Sequence, residues 1–184
     1  MNLLFRLIWT AFARRWRPAV PPLGPCRTPF RVLPTDLDVL FHVNNGVYLS
    51  MMDVARVDLM HRAGLMGLLA KRGWYPGVVA ETIQFRRSLQ LFDRFDIETR
   101  VLGWDDKAML LEQDFVRRGE IVATSVVRSR FLIRGGGTVA PSELAELAGE
   151  SPVSPTLSET VARWNADQVV TRAAGSTPIG DTDS

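Results

Sequence analysis

The chain has 184 residues, 46% hydrophobic and 23% charged, a balance that excludes a wholly disordered protein, a collagen and a coiled coil. Its single cysteine, Cys26, cannot close an internal disulfide, so a disulfide scaffold is excluded and a reducing compartment is the default. The formal net charge of +2 is too small to argue for nucleic acid, yet it is unevenly spread: residues 1–31 carry Arg6, Arg14, Arg15, Arg17, Arg27 and Arg31 and no acid, which leaves −4 on the rest.

In chain order, residues 1–20 read first as a basic amphipathic helix. Leu3, Leu4, Leu7, Ile8, Ala11 and Phe12 share one face, with Arg6 and Arg17 opposite. A membrane span needs about 20 apolar residues, and Arg6 and Arg14 interrupt the run too early. Charge inside and after the apolar run also fits a secretory signal poorly. Two readings stay open for this helix: it lies on an anionic membrane surface, or it packs on the domain or a partner subunit. Residues 21–27, rich in proline and preceded by Pro18, read as a stiff linker that separates the helix from the body.

The body, residues 28–150, opens with a strand over 28–33 and an irregular stretch to Asn44. From Asn45 to Gly64, Val47, Tyr48, Met51, Met52, Ala55, Leu59 and Met60 recur at helical spacing over much of the wheel, which predicts a largely buried helix. A shorter helix over 66–72 stops at Gly73. The period then becomes two, with Val79, Glu81, Ile83 and Phe85 on one face. Runs over 92–104, 107–118 and 121–134 predict three long antiparallel strands joined by two-residue turns at Asp105-Asp106 and Arg118-Gly119. Gly135-Gly136-Gly137 lacks a following Gly-Lys-Ser/Thr and reads as a turn, not a phosphate loop. Short helices are expected over 141–148 and 158–170, the second within a C-terminal accessory segment at 151–172, and the polar tail 173–184 is expected to be disordered. The fold class is therefore α+β. One helix cannot cover both faces of a sheet of about five strands, so a second subunit is expected against it.

The chemistry concentrates before the long helix. No Gly-x-Ser-x-Gly, His-Glu-x-x-His, Cys-x-x-Cys or dinucleotide glycine motif occurs, which removes the main sequence grounds for a serine hydrolase, a zinc enzyme or a nicotinamide dehydrogenase. His61 falls late in the helix, where a cation complements the dipole, and reads as structural. Asp36, Asp38, His42, Asn44 and Asn45 crowd into ten residues. Asn44 or Asn45 is a natural N-cap, which leaves helix-start N–H groups free to meet developing negative charge. A carboxylate beside them can act as base or nucleophile. The alternative is an Asx-rich turn that only satisfies its own backbone.

The run Asp36-Leu-Asp38-Val-Leu-Phe-His42-Val-Asn44-Asn45-Gly-Val-Tyr48, continuing to Asp53-Val-Ala-Arg56, resembles the hot-dog-fold acyl-CoA thioesterases of the 4-hydroxybenzoyl-CoA thioesterase type. The likeness extends over about residues 28–135, and the variant with Phe41 in place of the family glycine is similar to the thioesterase superfamily member six-like branch. The resemblance implies a hot-dog fold, in which a curved antiparallel sheet wraps a long helix. It also implies homodimers or homotetramers with sites at the subunit interface, and no metal or cofactor. It makes the expected function hydrolysis of an acyl-CoA, with Asp38 as catalytic acid, the backbone N–H of Asn45 polarising the carbonyl, and His42 and Asn44 shaping the loop. Asp53 is a second candidate acid, because some branches carry the acid on the helix; Asp53 and Arg56 otherwise look like a structural pair. Tyr48, Met52 and Phe41 are the expected substrate contacts. Enoyl-thioester hydratases place Asn-Pro after the acid, which this chain lacks. The alternative function is a catalytically silent, membrane-associated acyl-binding or scaffold protein of the same fold. A cytoplasmic location is expected, peripheral on the inner membrane face if residues 1–20 bind anionic lipid. Arg86, Arg87, Arg128 and Arg130 are open between holding coenzyme A phosphates and ordinary surface pairing.

Overall fold

A computed structural model describes Arg6 and residues 16–168. The expectations for residues 1–20 and for the tail therefore lie outside the described residues, apart from Arg6 and 16–20. Along the chain come β1 (Cys26–Arg31), α1 (Asn45–Arg62), α2 (Leu65–Arg72), β2 (Trp74–Phe85), β3 (Arg94–Trp104), β4 (Met109–Arg117), β5 (Glu120–Ile133), β6 (Thr138–Val139), α3 (Pro141–Leu147) and α4 (Glu159–Asp167). The strands form one antiparallel sheet in the order β1-β3-β4-β5-β2, with β6 added on β5. The sheet curls into a half-barrel around α1, as the sequence leads one to expect.

Local chemistry sets the element ends. Asn44 caps α1 by accepting the Gly46 N–H at 2.8 Å, and His61 and Arg62 occupy its last turn, where the free carbonyls favour cations. Arg118 and Gly119 both adopt positive φ, 54° and 80°, which gives the two-residue turn between β4 and β5. The other expected two-residue turn is a four-residue loop, because β3 and β4 stop pairing at Trp104 and Met109. Asp105 organises that loop by accepting the N–H groups of Lys107 and Ala108 at 2.7 and 2.8 Å. A bulge between Val78 and Ala80 breaks the two-residue period, so β2 begins at Trp74 and not at Val79. The short β6 after the triple glycine carries no sequence pattern of its own.

The core is built on α1, which buries Tyr48, Met51, Met52, Val54, Ala55 and Leu59. A run of ring contacts crosses the molecule from Phe30 to Phe95, Phe115, Tyr48 and Phe85, with centroids 4.9–5.8 Å apart. Asp58 and Asp36 are among the acids buried with it. Asp58 is fully enclosed and receives Thr28 Oγ1 at 2.8 Å, Arg17 at 3.1 Å and Arg62 at 3.5 Å. Asp36 is equally buried; it accepts the Leu33 N–H at 2.7 Å and an Arg6 N–H at 2.5 Å. Arg6 and Arg17, the cations opposite the apolar face of the expected helix, thus meet buried carboxylates of the body.

Both flanking segments are seated on the sheet. The Pro-rich stretch does not separate the N-terminal residues from the body: Val20 N–H donates to Arg62 O, Arg62 Nε to Pro18 O, and Val101 N–H to Leu23 O. Gly24, at φ 84°, lets this segment lie so close to β3 that a Cβ there would stand 2.6 Å from Thr99 O. On the other side, Trp104 N–H donates to Ser154 Oγ at 2.8 Å. α4 is fixed through Asn165, which accepts from Arg128 Nε at 2.7 Å and donates to Asp105 at 2.8 Å.

Candidate active site

The Asx-rich segment folds into a miniature hairpin. Leu37 and Val43 form a bridge, Asp38 N–H donates to His42 O at 2.8 Å, and Asn44 N–H donates to Asp36 O at 2.9 Å. Its tip, Val39-Leu40-Phe41, is exposed, and Phe41 holds a left-handed φ of 60°. Phe41 stands where the resembling family has glycine, so the loop keeps a glycine-type backbone with a side chain that tolerates it badly. The Asp38 carboxylate takes the N–H of Leu40 at 2.8 Å and of His42 at 3.1 Å, both on Oδ1. Three residues beyond His42, α1 starts; Asn44 caps Gly46, and no partner takes the Asn45 N–H among the described residues. Carboxylate, imidazole-bearing residue and open helix start are thereby tied into one short unit.

A second polar cluster lies on α1. Asp53 forms a close ion pair with Arg56, whose other terminal nitrogen donates to Gln113 Oε1 at 2.6 Å. Gln113 in turn donates to Thr99 and to the Met52 carbonyl. Glu81 on β2 stands 4.0 Å from Arg56 with Oε2 buried and without a hydrogen bond. Burial pushes the Glu81 carboxyl above its ordinary range; Arg56 pulls it back and the Asp53 charge adds to the rise. Asp53 and Arg56 border an apolar cavity of about 320 Å³, walled by Met60, Leu65, Leu111, Phe131 and Leu144 among others.

The expected site residues therefore divide. Asp38, His42, Asn44 and Asn45 come together in the loop and helix start. Asp53 belongs to the cavity, paired with Arg56 as expected. Tyr48 and Met52, the expected substrate contacts on α1, are core residues, 3% and 0% exposed. Their apolar helical spacing marks burial, and packing against Phe85 and Phe115 uses that surface. Glu81 escaped the sequence reading; the available signal was a lone acid on the alternating face of Val79, Ile83 and Phe85. Of the four arginines considered for phosphate, Arg128 is buried against Asp105 and Asn165, and Arg87 pairs with Glu120. Among the described residues, no group of three or more His, Cys, Asp or Glu is placed to hold a metal, and no helix is long and apolar enough to cross a membrane.

A long helix in a curled antiparallel sheet, entered through an Asx-rich loop, defines the hot-dog fold. The probable thioesterase YbaW of Escherichia coli matches it with a TM-score of 0.62 at 26% identity, over 66% of this chain and 94% of that one. The gentisyl-coenzyme A thioesterase BH1999 matches with a TM-score of 0.59 at 22% identity, over 67% of this chain and 98% of its own. The chain belongs to the Thioesterase-like superfamily, whose family model matches residues 32–164. In sequence it is similar to the protein named THEM6 of Xenopus laevis, 39% identical over 134 residues. That match covers 72% of this chain and 63% of the relative, so the chain spans less than two thirds of the relative's length.

Proposed function

We propose that the chain hydrolyses acyl-CoA thioesters at the start of α1, with Asp38 as base or nucleophile. The observation that supports this best is the miniature hairpin, which fixes Asp38 beside His42 directly ahead of the capped helix and its unengaged Asn45 N–H. Two N–H donors on Oδ1 orient the carboxylate and leave Oδ2 as the reacting atom. Oδ2 either attacks the thioester carbon, giving a mixed anhydride that water cleaves, or takes the proton of a water that attacks instead. In both cases negative charge gathers on the carbonyl oxygen, the thiolate of coenzyme A leaves, and the free acid remains. The Asn45 N–H, at the positive end of α1, opposes that charge; one such donor is typically worth about 10²–10³ in rate. Asn44 holds the helix start in shape and His42 closes the hairpin.

The active form is a homo-oligomer built at the β2 edge. Among the described residues β2 pairs only with β5; it runs twelve residues and exposes Tyr75, Val78, Val79 and Phe85. A second copy adding its own β2 would cover that edge and those side chains. The contacts of Arg6 with Asp36 and of Arg17 with Asp58 favour packing of the N-terminal residues on the body over an interfacial role on anionic lipid. A silent acyl-binding protein is the second reading, favoured by the strained Phe41 and by the two loop hydrogen bonds already held by Asp38.

Thiol release from acyl-CoA substrates tests the proposal. Asp38→Asn keeps the size and most acceptor capacity of the side chain, so the fold is expected to persist while turnover falls about 10²–10⁴-fold. Undiminished release by Asp38→Asn would remove Asp38 from the reaction, and no release by the parent chain at any acyl length would leave the binding reading.

A further inference from the structure

We propose that the end of the sheet that carries the Asp38 hairpin docks on an anionic lipid surface. The apolar hairpin tip enters the headgroup layer, and arginines from the surrounding strands and loops meet the lipid phosphates. The surface belongs to the body of the protein and is separate from the N-terminal helix considered above.

Strand pairing gathers this end. β1 finishes at Arg31 opposite Arg94, where β3 begins, and the start of β3 pairs with the end of β4 at Asp96 and Val116. Arg118 and Gly119 then turn the chain into β5. The loop over 86–93 is tied to the same end, since Phe92 N–H donates to Val32 O at 3.1 Å and Arg86 N–H to Val122 O at 2.8 Å. The hairpin itself leaves β1 just after Val32 and returns at the start of α1.

Exposed apolar side chains collect here. Val39, Leu40 and Phe41 stand out at 93%, 70% and 76% exposed, and Leu91, Phe92 and Ile121 are exposed as well. A concentration of this kind marks an interaction surface more than chance exposure. Phe41 keeps its place at a left-handed φ of 60°, a strain that points to a use for its ring.

Charge then selects the partner. Arg87 and Arg117 are taken by Glu120 and Asp93, but Arg31, Arg86, Arg94 and Arg118 make no ion pair among the described residues. Arg31 and Arg94 are direct cross-strand partners, a like-charge arrangement that is unfavourable until an anion lies between them. Both line one open groove with Arg118 and the acid Asp96. Arg31 also lies 5.0 Å over the Phe92 ring, which joins the basic patch to the apolar one. A bilayer suits this combination better than an acidic protein. The apolar tip projects instead of lining a groove, so it needs a soft phase to enter, and phosphates spread over a plane serve arginines on separate elements. On the thioesterase reading, docking turns Asp38 and the start of α1 toward the lipid phase. The docking itself does not depend on that reading and is measured without turnover.

The test is co-sedimentation of the full chain with vesicles of phosphatidylglycerol and phosphatidylcholine, beside vesicles of phosphatidylcholine alone. Binding is expected on the anionic vesicles and should weaken as salt rises above about 0.1 M, where charges are screened within ~10 Å. Arg94→Gln and Arg118→Asn should each lower the partition coefficient about fivefold. Leu40→Ser combined with Phe41→Gly should lower it about tenfold or more, and the melting temperature shows that each variant is folded. Vesicle binding that survives in all of these folded variants would place the contact elsewhere in the chain and overturn the proposal. Equal binding to neutral vesicles would overturn it too, as would no binding by the parent, which would leave an acidic protein as the partner. A tip variant that lowers the sedimentation mass without lipid, and leaves vesicle binding intact, would make this end an interface between copies instead.

Discussion

Asp38 and Asp53, fifteen residues apart in sequence, are held by opposite means. Asp38 sits in a loop and is oriented by neutral N–H donors, both on one oxygen, with an exposed apolar tip beside it. Asp53 sits on a rigid helix, borders the cavity, and is held by a guanidinium that is itself anchored to Gln113 in the core. The difference separates reactivity from placement. A carboxylate paired tightly with a cation is a weak base and nucleophile, whereas one held by backbone donors on a single oxygen keeps the other available. Asp53 is better suited to forming a wall, and Asp38 to reacting.

The widest separation between the two should appear in turnover. Asp38→Asn is expected to lose about 10²–10⁴ in kcat, and Asp53→Asn less than about tenfold, measured side by side by thiol release. The reverse ranking would move the reaction onto the helix. The next effect separates Asp38 from its own neighbour. Asp36 is buried against Arg6, so Asp36→Asn should cost about 3 kcal/mol of stability while kcat changes little. Denaturant melts beside the kinetics distinguish the two acids, and a loss of kcat by Asp36→Asn as deep as that of Asp38→Asn would break the division of labour within the hairpin.

Much of this arrangement was legible in the sequence. Helical spacing located α1, alternation located β3, β4 and β5, and residue chemistry narrowed the cap to Asn44 or Asn45, of which the structure uses Asn44. What stayed hidden depended on partners far along the chain. Nothing near Asp58 or Asp36 announces that Arg17 and Arg6 will reach them, because the pairing needs the folded path of the Pro-rich segment. Helical spacing put Tyr48 and Met52 in a largely buried helix, as found; the resemblance, not the spacing, made them expected substrate contacts. The cavity arises where α3 and Leu23 approach without filling the space above Met60, a matter of side-chain volume that periodicity does not encode. Likewise, the alternation of β2 hid both its bulge and the buried Glu81.

Glu81 sharpens the comparison through pH. Its carboxyl is raised by burial, so the folded state holds its proton to a higher pH than the unfolded chain does. Stability should therefore fall as pH rises from the ordinary carboxyl range through the raised folded value, and stay lowered above it. Glu81→Gln removes that penalty. The variant is expected to melt higher than the parent at pH 7, with the gap closing once the parent's Glu81 is protonated below pH ~4.5. A gap that persists unchanged into acid would show that Glu81 acts through packing or its contact with Arg56, and not through its charge.

The smallest expected effect lies at the loop tip. A left-handed backbone costs a residue with a Cβ about 1–2 kcal/mol, and glycine escapes that cost but adds about 0.5–1 kcal/mol of chain entropy to folding. Phe41 is exposed at 76%, so its removal sacrifices little packing. Phe41→Gly should thus stabilise the chain by roughly 0.5–1 kcal/mol, readable as a small upward shift of the denaturant midpoint. Turnover is the more informative readout. If the backbone of the hairpin already holds the glycine-type conformation, releasing the strain leaves Asp38 and the Asn45 N–H where they were, and kcat should stay within about threefold of the parent. A large rise in kcat would mean instead that the phenyl ring obstructs the approach to Asp38. A large fall would assign Phe41 a direct contact with substrate, and with it a role for the exposed tip that the buried Tyr48 and Met52 do not fill.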